Sequence, residues 1–138
     1  MGWLSMKKYE NYCTHLHVLE TAAEQDLENE FIISGIIDKF FIQFELGWKL
    51  LKELLKYEGR AIASTGSPRA IIKEAYSIYD FLEEDIWLEM LENRNDLAHI
   101  YDGGKARELA DIIISKYVPE FKKMENALNE RYGDVLGD

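Results

Sequence analysis

The chain has 138 residues, 47% hydrophobic and 30% charged, enough for one buried core and typical of soluble globular domains. Nine Gly, two Pro and one Cys exclude collagen-like, Pro-rich and disulfide-stapled architectures. Lys plus Arg total 16 against 26 Asp plus Glu, a formal charge of -10, which opposes a broad electrostatic grip on nucleic acid and leaves room only for a small local basic site.

The opening residues Met1-Gly2-Trp3-Leu4-Ser5-Met6 carry neither a secretory leader pattern nor a lipidation motif. The apolar-rich stretch 31–55 is interrupted by Asp38, Lys39, Glu45, Lys49, Lys52 and Glu53, so it is not an ordinary membrane span, and a cytoplasmic protein is expected. Apolar residues recur at three and four almost everywhere and alternation of period two is nearly absent, which predicts an all-α chain. The first helix is expected over 5–26, with Tyr9, Tyr12, Leu16 and Leu19 on one side; Cys13, without a second Cys, reads as a packing residue. The second is expected over 31–57, where Ile32, Ile36, Phe40, Phe44, Trp48, Leu51 and Leu55 form a stripe widened by Ile37, Phe41 and Leu54, broad enough for contacts on two sides.

Glu58-Gly59 closes that helix, and Ser67-Pro68 opens a third over 68–79, Ser as N-cap and Pro at the first helical position. Glu83, Glu84 and Asp85 suit the positive end of a fourth helix, which turns Ile86, Trp87, Met90 and Leu91 inward and stops at Gly103-Gly104. A last helix runs from Lys105 through Leu109, Ile112, Ile113 and Tyr117 until Pro119 kinks or breaks it, and a final set of turns reaches Tyr132. The expected architecture is a single domain over 1–138, an antiparallel bundle of about five helices.

The most unusual cluster is Arg94-Asn95-Asp96-Leu97-Ala98-His99-Ile100-Tyr101-Asp102. On a continuous helix Arg94, Ala98 and Tyr101 share one stripe and Asn95, His99 and Asp102 another, so Arg94 and His99 stand about 140° apart. They meet on one substrate only if it wraps the helix edge, if the helix unwinds, or if a second copy completes the site. A guanidinium and an imidazole suit phosphodiester cleavage without metal: His moves protons near neutral pH, Arg offsets charge on the phosphate, and RNA supplies a 2′-hydroxyl nucleophile. The competing reading is a plain capping and ion-pair network at a helix end.

Other candidates are weaker. His15 and His17 point about 160° apart on a helix and read as packing or surface residues. Asp96, His99 and Asp102 lack a fourth ligand, so no metal is expected, and nothing in the chain calls for a cofactor. Gly103-Gly104-Lys105 is a helix stop without phosphate-loop spacing, and Trp48 reads as core or subunit interface rather than a base-stacking platform.

Three stretches are distinctive together: Phe44-Glu45-Leu46-Gly47-Trp48-Lys49-Leu50-Leu51-Lys52, Ser67-Pro68-Arg69-Ala70-Ile71-Ile72-Lys73-Glu74-Ala75, and Trp87-Leu88-Glu89-Met90 leading into Arg94-Asn95 and His99-Ile100-Tyr101-Asp102. They resemble the nucleotidyltransferase substrate-binding protein family, a branch of the HEPN superfamily, over nearly the whole chain and in the same five-helix order. The sequence departs from related ones at Lys39-Phe40-Phe41, where Arg-Phe-Glu is common, and at Asp96-Leu97-Ala98, where small hydroxyl residues are frequent. The resemblance implies a helical homodimer paired with a separately encoded minimal nucleotidyltransferase. By analogy with HEPN toxin ribonucleases, Arg94 and His99 would be catalytic and Asn95 would orient the substrate. Tyr101 would accept AMP from the partner and so silence the toxin. The family's own description implies an alternative, a non-catalytic subunit that holds a nucleotide or other substrate for the transferase. RNA or a nucleotide is thus the expected substrate, with no membrane partner.

Overall fold

Apolar spacing of three and four becomes helix over most of the described residues, 6–100 and 104–136, of the computed structural model, and no strand occurs among them. Helix α1 covers Met6–Leu19 and tightens into a 3₁₀ turn over Glu20–Glu24, short of the expected α-helical run. The Thr21 hydroxyl donates to the Val18 carbonyl at 2.7 Å, a local alternative to the next α-helical bond. Asn29 then caps α2, Glu30–Tyr57, its side chain accepting from the Phe31 and Ile32 amides at 2.9 and 3.3 Å. At 28 residues α2 is about 42 Å long and packs against α1 and the two helices α3, Pro68–Ile78, and α6, Lys105–Ile112. That arrangement accounts for its broad apolar face.

Gly59, at φ 77, follows the end of α2, and a 3₁₀ turn over Ala61–Ser64 fills the expected loop. Ser67 caps α3 as expected, its hydroxyl accepting from the Ala70 amide at 3.2 Å.

The fourth helix departs from expectation. It does not run to the Gly pair: α4 is Glu84–Asn95, Asp96 leaves helical geometry at φ -104 and ψ 30, and a one-turn helix α5, Leu97–Ile100, follows. Asn95 and Asp96 are adjacent poor helix formers, and the Asp96 amide turns back to the Asn93 carbonyl at 3.3 Å, tightening the last turn.

The second departure lies at Pro119. The chain neither breaks there nor falls into turns; α7, Val118–Leu136, continues the helix, preceded by a π-helical turn over Ile113–Tyr117. The Val118 amide donates to the Ile113 carbonyl five residues back, and Pro119 falls in the first turn of α7, where no donor is required of it.

Trp87, Tyr12, Tyr79, Tyr117, Phe40, Phe44 and Phe121 are fully buried and form the aromatic centre of an all-α bundle. Among the described residues no helix is long and apolar enough to cross a membrane.

Candidate functional site

The break at Asp96 decides where the predicted site residues go. Arg94 ends α4 on the side that faces α2, and its Nη2 lies 3.2 and 3.1 Å from the two carboxylate oxygens of Glu45. Its Nη1 donates to Asn95 Oδ1 at 3.1 Å, and Glu45 also accepts from the Trp48 indole N–H at 3.1 Å. A chain of polar contacts therefore runs Trp48, Glu45, Arg94, Asn95. The Arg94 and Glu45 side chains are 33% and 32% exposed, so the guanidinium is oriented yet still within reach of solvent.

His99, on α5, is displaced from the stripe that a continuous helix would have given it. Its side chain is 66% exposed, with Nε2 3.8 Å from Asp96 Oδ1. It lines a groove of about 200 Å³ between α5 and α6, together with Asn93, Asp96, Lys105 and Glu108. Arg94 does not line that groove, so within one chain the two residues serve different surfaces. Gly104 starts α6 at φ 82, a left-handed conformation that suits glycine. Tyr101, Asp102 and Gly103 lie outside the described residues.

Beneath the groove, Asn93 donates to the Tyr117 hydroxyl at 2.7 Å, Tyr117 donates to Glu89 at 2.6 Å, and Lys116 donates to the other Glu89 oxygen at 2.9 Å. Burial, reinforced by the bond to Glu89, pushes the Tyr117 hydroxyl well above the usual tyrosine range, so it remains a neutral donor. The π turn that accommodates Pro119 ends at this residue. Burial opposes ionisation of Glu89, but its bonds from Tyr117 and Lys116 outweigh that and hold the carboxyl below its ordinary 4.5. The folded state therefore favours ionised Glu89: the stabilisation is present above pH 4.5 and is lost as acid takes the pH through the lower folded value. Glu89→Gln, which still accepts from Tyr117, is expected to lower the midpoint of thermal unfolding near neutral pH, the gap from the parent closing in acid. A gap that persists unchanged in acid would mean that the charge does not matter.

Sequence reasoning did not foresee Glu45, Asn93 or Tyr117 in the site. Glu45 stands 49 residues before Arg94, and the local signal was only a carboxylate three residues ahead of Trp48 within an apolar stripe.

The two histidines of α1 have separate partners. His15 Nδ1 is 2.7 Å from Gln43 Oε1, and its Nε2 is buried with no partner among the described residues. His17 Nε2 is 3.1 Å from Glu125. His17, Glu20 and Glu125 place their ligand atoms within 4.8 Å of one another, an arrangement the sequence did not suggest. Lys122 Nζ sits 2.7 Å from Glu125 and 3.8 Å from Glu20, so an ammonium already balances these carboxylates. Burial pushes the neighbouring Cys13 thiol up to about 12, leaving little thiolate at neutral pH.

The family model described as "Nucleotidyltransferase substrate binding protein like" matches residues 7–130, which takes in every side chain of the polar chain from Trp48 to Asn95 as well as His99. No match is found among curated proteins.

Proposed function

Because the chain belongs to the nucleotidyltransferase substrate binding protein-like family, we propose that it works with a separate nucleotidyltransferase, as the helical HEPN subunit of a toxin and antitoxin pair. Its activity in this reading is metal-independent cleavage of RNA. The observation that carries it is the helix break at Asp96, which leaves the Arg94 guanidinium oriented but accessible on one side and His99 exposed in a groove on the other.

In the proposed reaction, neutral His99 takes the proton of a 2′-hydroxyl. The 2′-oxygen then bonds to phosphorus, and the bond from phosphorus to the 5′-oxygen breaks. Arg94 holds the non-bridging oxygens, where charge accumulates, and Asn95, which accepts from Arg94 at 3.1 Å, orients the substrate beside it. The leaving 5′-oxygen receives a proton from a second, protonated imidazole, which a homodimer supplies as His99 of the other copy. Two copies also answer the divergence of Arg94 and His99 within one chain.

Silencing follows from the same chemistry. AMP carried on Tyr101 adds bulk and a phosphate anion close in sequence to Arg94, where it competes with RNA for the guanidinium.

A second reading is favoured by a specific contact. Glu45 already pairs with Arg94, as suits a subunit that holds a nucleotide or other substrate for the transferase without cleaving it.

The test is cleavage of mixed RNA by the purified protein in EDTA, beside Arg94→Ala and His99→Ala, with the unmodified mass of Tyr101 confirmed first. Cleavage by the parent and by neither variant is the expected result. No cleavage by any of the three would overturn the ribonuclease and leave the substrate-binding subunit.

A further inference from the structure

An acidic chain gathers positive charge in one place. Lys49, Lys52 and Lys56 recur at three and four residues along the second half of α2, and Arg60 follows just beyond its end. Together with Lys8 of α1 and the indole of Trp48 they line a groove of about 530 Å³. Glu53 is the one carboxylate among the described residues lining it, and Lys8 lies 3.6 Å from it. Arg60 is paired with Glu74 at 3.2 Å. Among the described residues Lys49, Lys52 and Lys56 have no carboxylate within ion-pair distance. With 26 acidic residues against 16 basic ones, leaving three neighbouring lysines unneutralised keeps a like-charge repulsion that an anionic ligand would relieve.

We propose that this groove binds the backbone of single-stranded nucleic acid, the three lysines taking successive phosphates and the Trp48 ring stacking on a base. Trp48 is half-buried, packed against the core on one side and lining the groove on the other, and its N–H is held by Glu45 at 3.1 Å. A ring fixed in this way offers a face at little entropic cost. The packing of Trp48 against the core agrees with its sequence reading, and the proposal adds a base-stacking role for its other face.

Distribution of charge selects the ligand. From Lys49 to Lys56 the cations spread over about 10 Å of helix axis, with no glycine-rich turn to concentrate donors on one point. Such spacing fits a chain of phosphodiesters better than the compact triphosphate of one nucleotide. The groove also has a direction. At its Trp48 end, Glu45 connects it to Arg94, so a strand lying along α2 arrives at the guanidinium. That direction rests on the ribonuclease reading, whereas binding in the groove does not.

The test uses the full chain carrying His99→Ala, so that binding is read without cleavage. A labelled single-stranded RNA of about 12 nucleotides is titrated by fluorescence anisotropy across a salt series. Combining Lys49→Ala, Lys52→Ala and Lys56→Ala is expected to weaken binding at least about tenfold and to reduce the slope of log affinity against log salt by about 2. The same three positions changed to Arg should retain binding, and Lys73→Ala with Lys123→Ala, on other surfaces, should leave it unchanged. Equal affinity in the parent and the triple alanine variant would overturn the proposal, as would no binding by the parent. ATP displacing the strand as tightly as unlabelled RNA does would make the groove a nucleoside triphosphate site and overturn the strand reading. Binding that persists in a protein found unable to cleave RNA removes the ribonuclease and leaves the groove standing.

Discussion

Replacing Trp87 by alanine is expected to destabilise the fold by about 3–5 kcal/mol, the range for truncating a large aromatic residue in a packed core. Trp87 is fully buried, and its ring lies 6.0 Å from that of Phe44 and 5.6 Å, edge-on, from that of Phe121. It therefore joins α4 to α2 and α7. Domains of this size are stable by only about 5–15 kcal/mol, so the variant is expected to be close to unfolding at physiological temperature. Its indole N–H has no partner among the described residues, a feature that separates two substitutions. Trp87→Phe keeps much of the ring contact and removes a buried unsatisfied donor, which costs about 1–3 kcal/mol, so its loss should be clearly smaller than that of alanine. Urea unfolding followed by circular dichroism checks this: the midpoint should fall steeply for Ala and slightly for Phe, with the slope unchanged. Equal losses would show that a phenyl ring in this space recovers none of the packing that the indole supplies. The consequence reaches the site, because α4 carries Arg94 and its end sets where His99 stands.

What could be read from the sequence divides by distance along the chain. The helices, their apolar faces, the Ser67-Pro68 start and the inward turn of Trp87, Met90 and Leu91 depend on spacing within a few residues, and the fold bears them out. The break at Asp96 was hidden because Asn95-Asp96 is compatible with a helix that runs to glycines and with one that stops early; only the turn of the Asp96 amide back to Asn93 separates these. Pro119 misled for a related reason. A proline ends a helix in isolation, yet a single π turn before it keeps Phe121, Met124 and Leu128 buried in the core. For the site, the reactive residue types were legible and their partners were not. Glu45 reaches Arg94, and Tyr117 reaches Asn93 and Glu89, through packing that brings together positions 24 to 49 residues apart.

Gly47→Leu is expected to cost toward the upper end of about 1–3 kcal/mol by overpacking. A Cβ at Gly47 would meet the Trp87 ring at 2.9 and 3.3 Å and the Tyr12 ring at 3.4 Å. All of these atoms belong to rigid, fully buried rings, so neither neighbour yields without moving a helix. Gly47→Ala adds only the single carbon that meets Trp87 at 2.9 Å, and the roughly 0.5–1 kcal/mol of helix stability that alanine recovers over glycine offsets part of that overlap, so its net loss should be smaller than that of leucine. Leucine recovers a similar amount, but its three further carbons enter space that the two rings already fill. The contact also predicts how two changes combine. Trp87→Ala opens space beside position 47, and a leucine placed there refills part of it, so the double variant should be less destabilised than the sum of the single changes by about 1–3 kcal/mol. Strict additivity in urea unfolding would mean that α2 and α4 do not meet at this pair. A coupling of the expected sign would show that the helix carrying Glu45 and the helix carrying Arg94 meet at this pair, the packing on which the Arg94 and Glu45 contact depends.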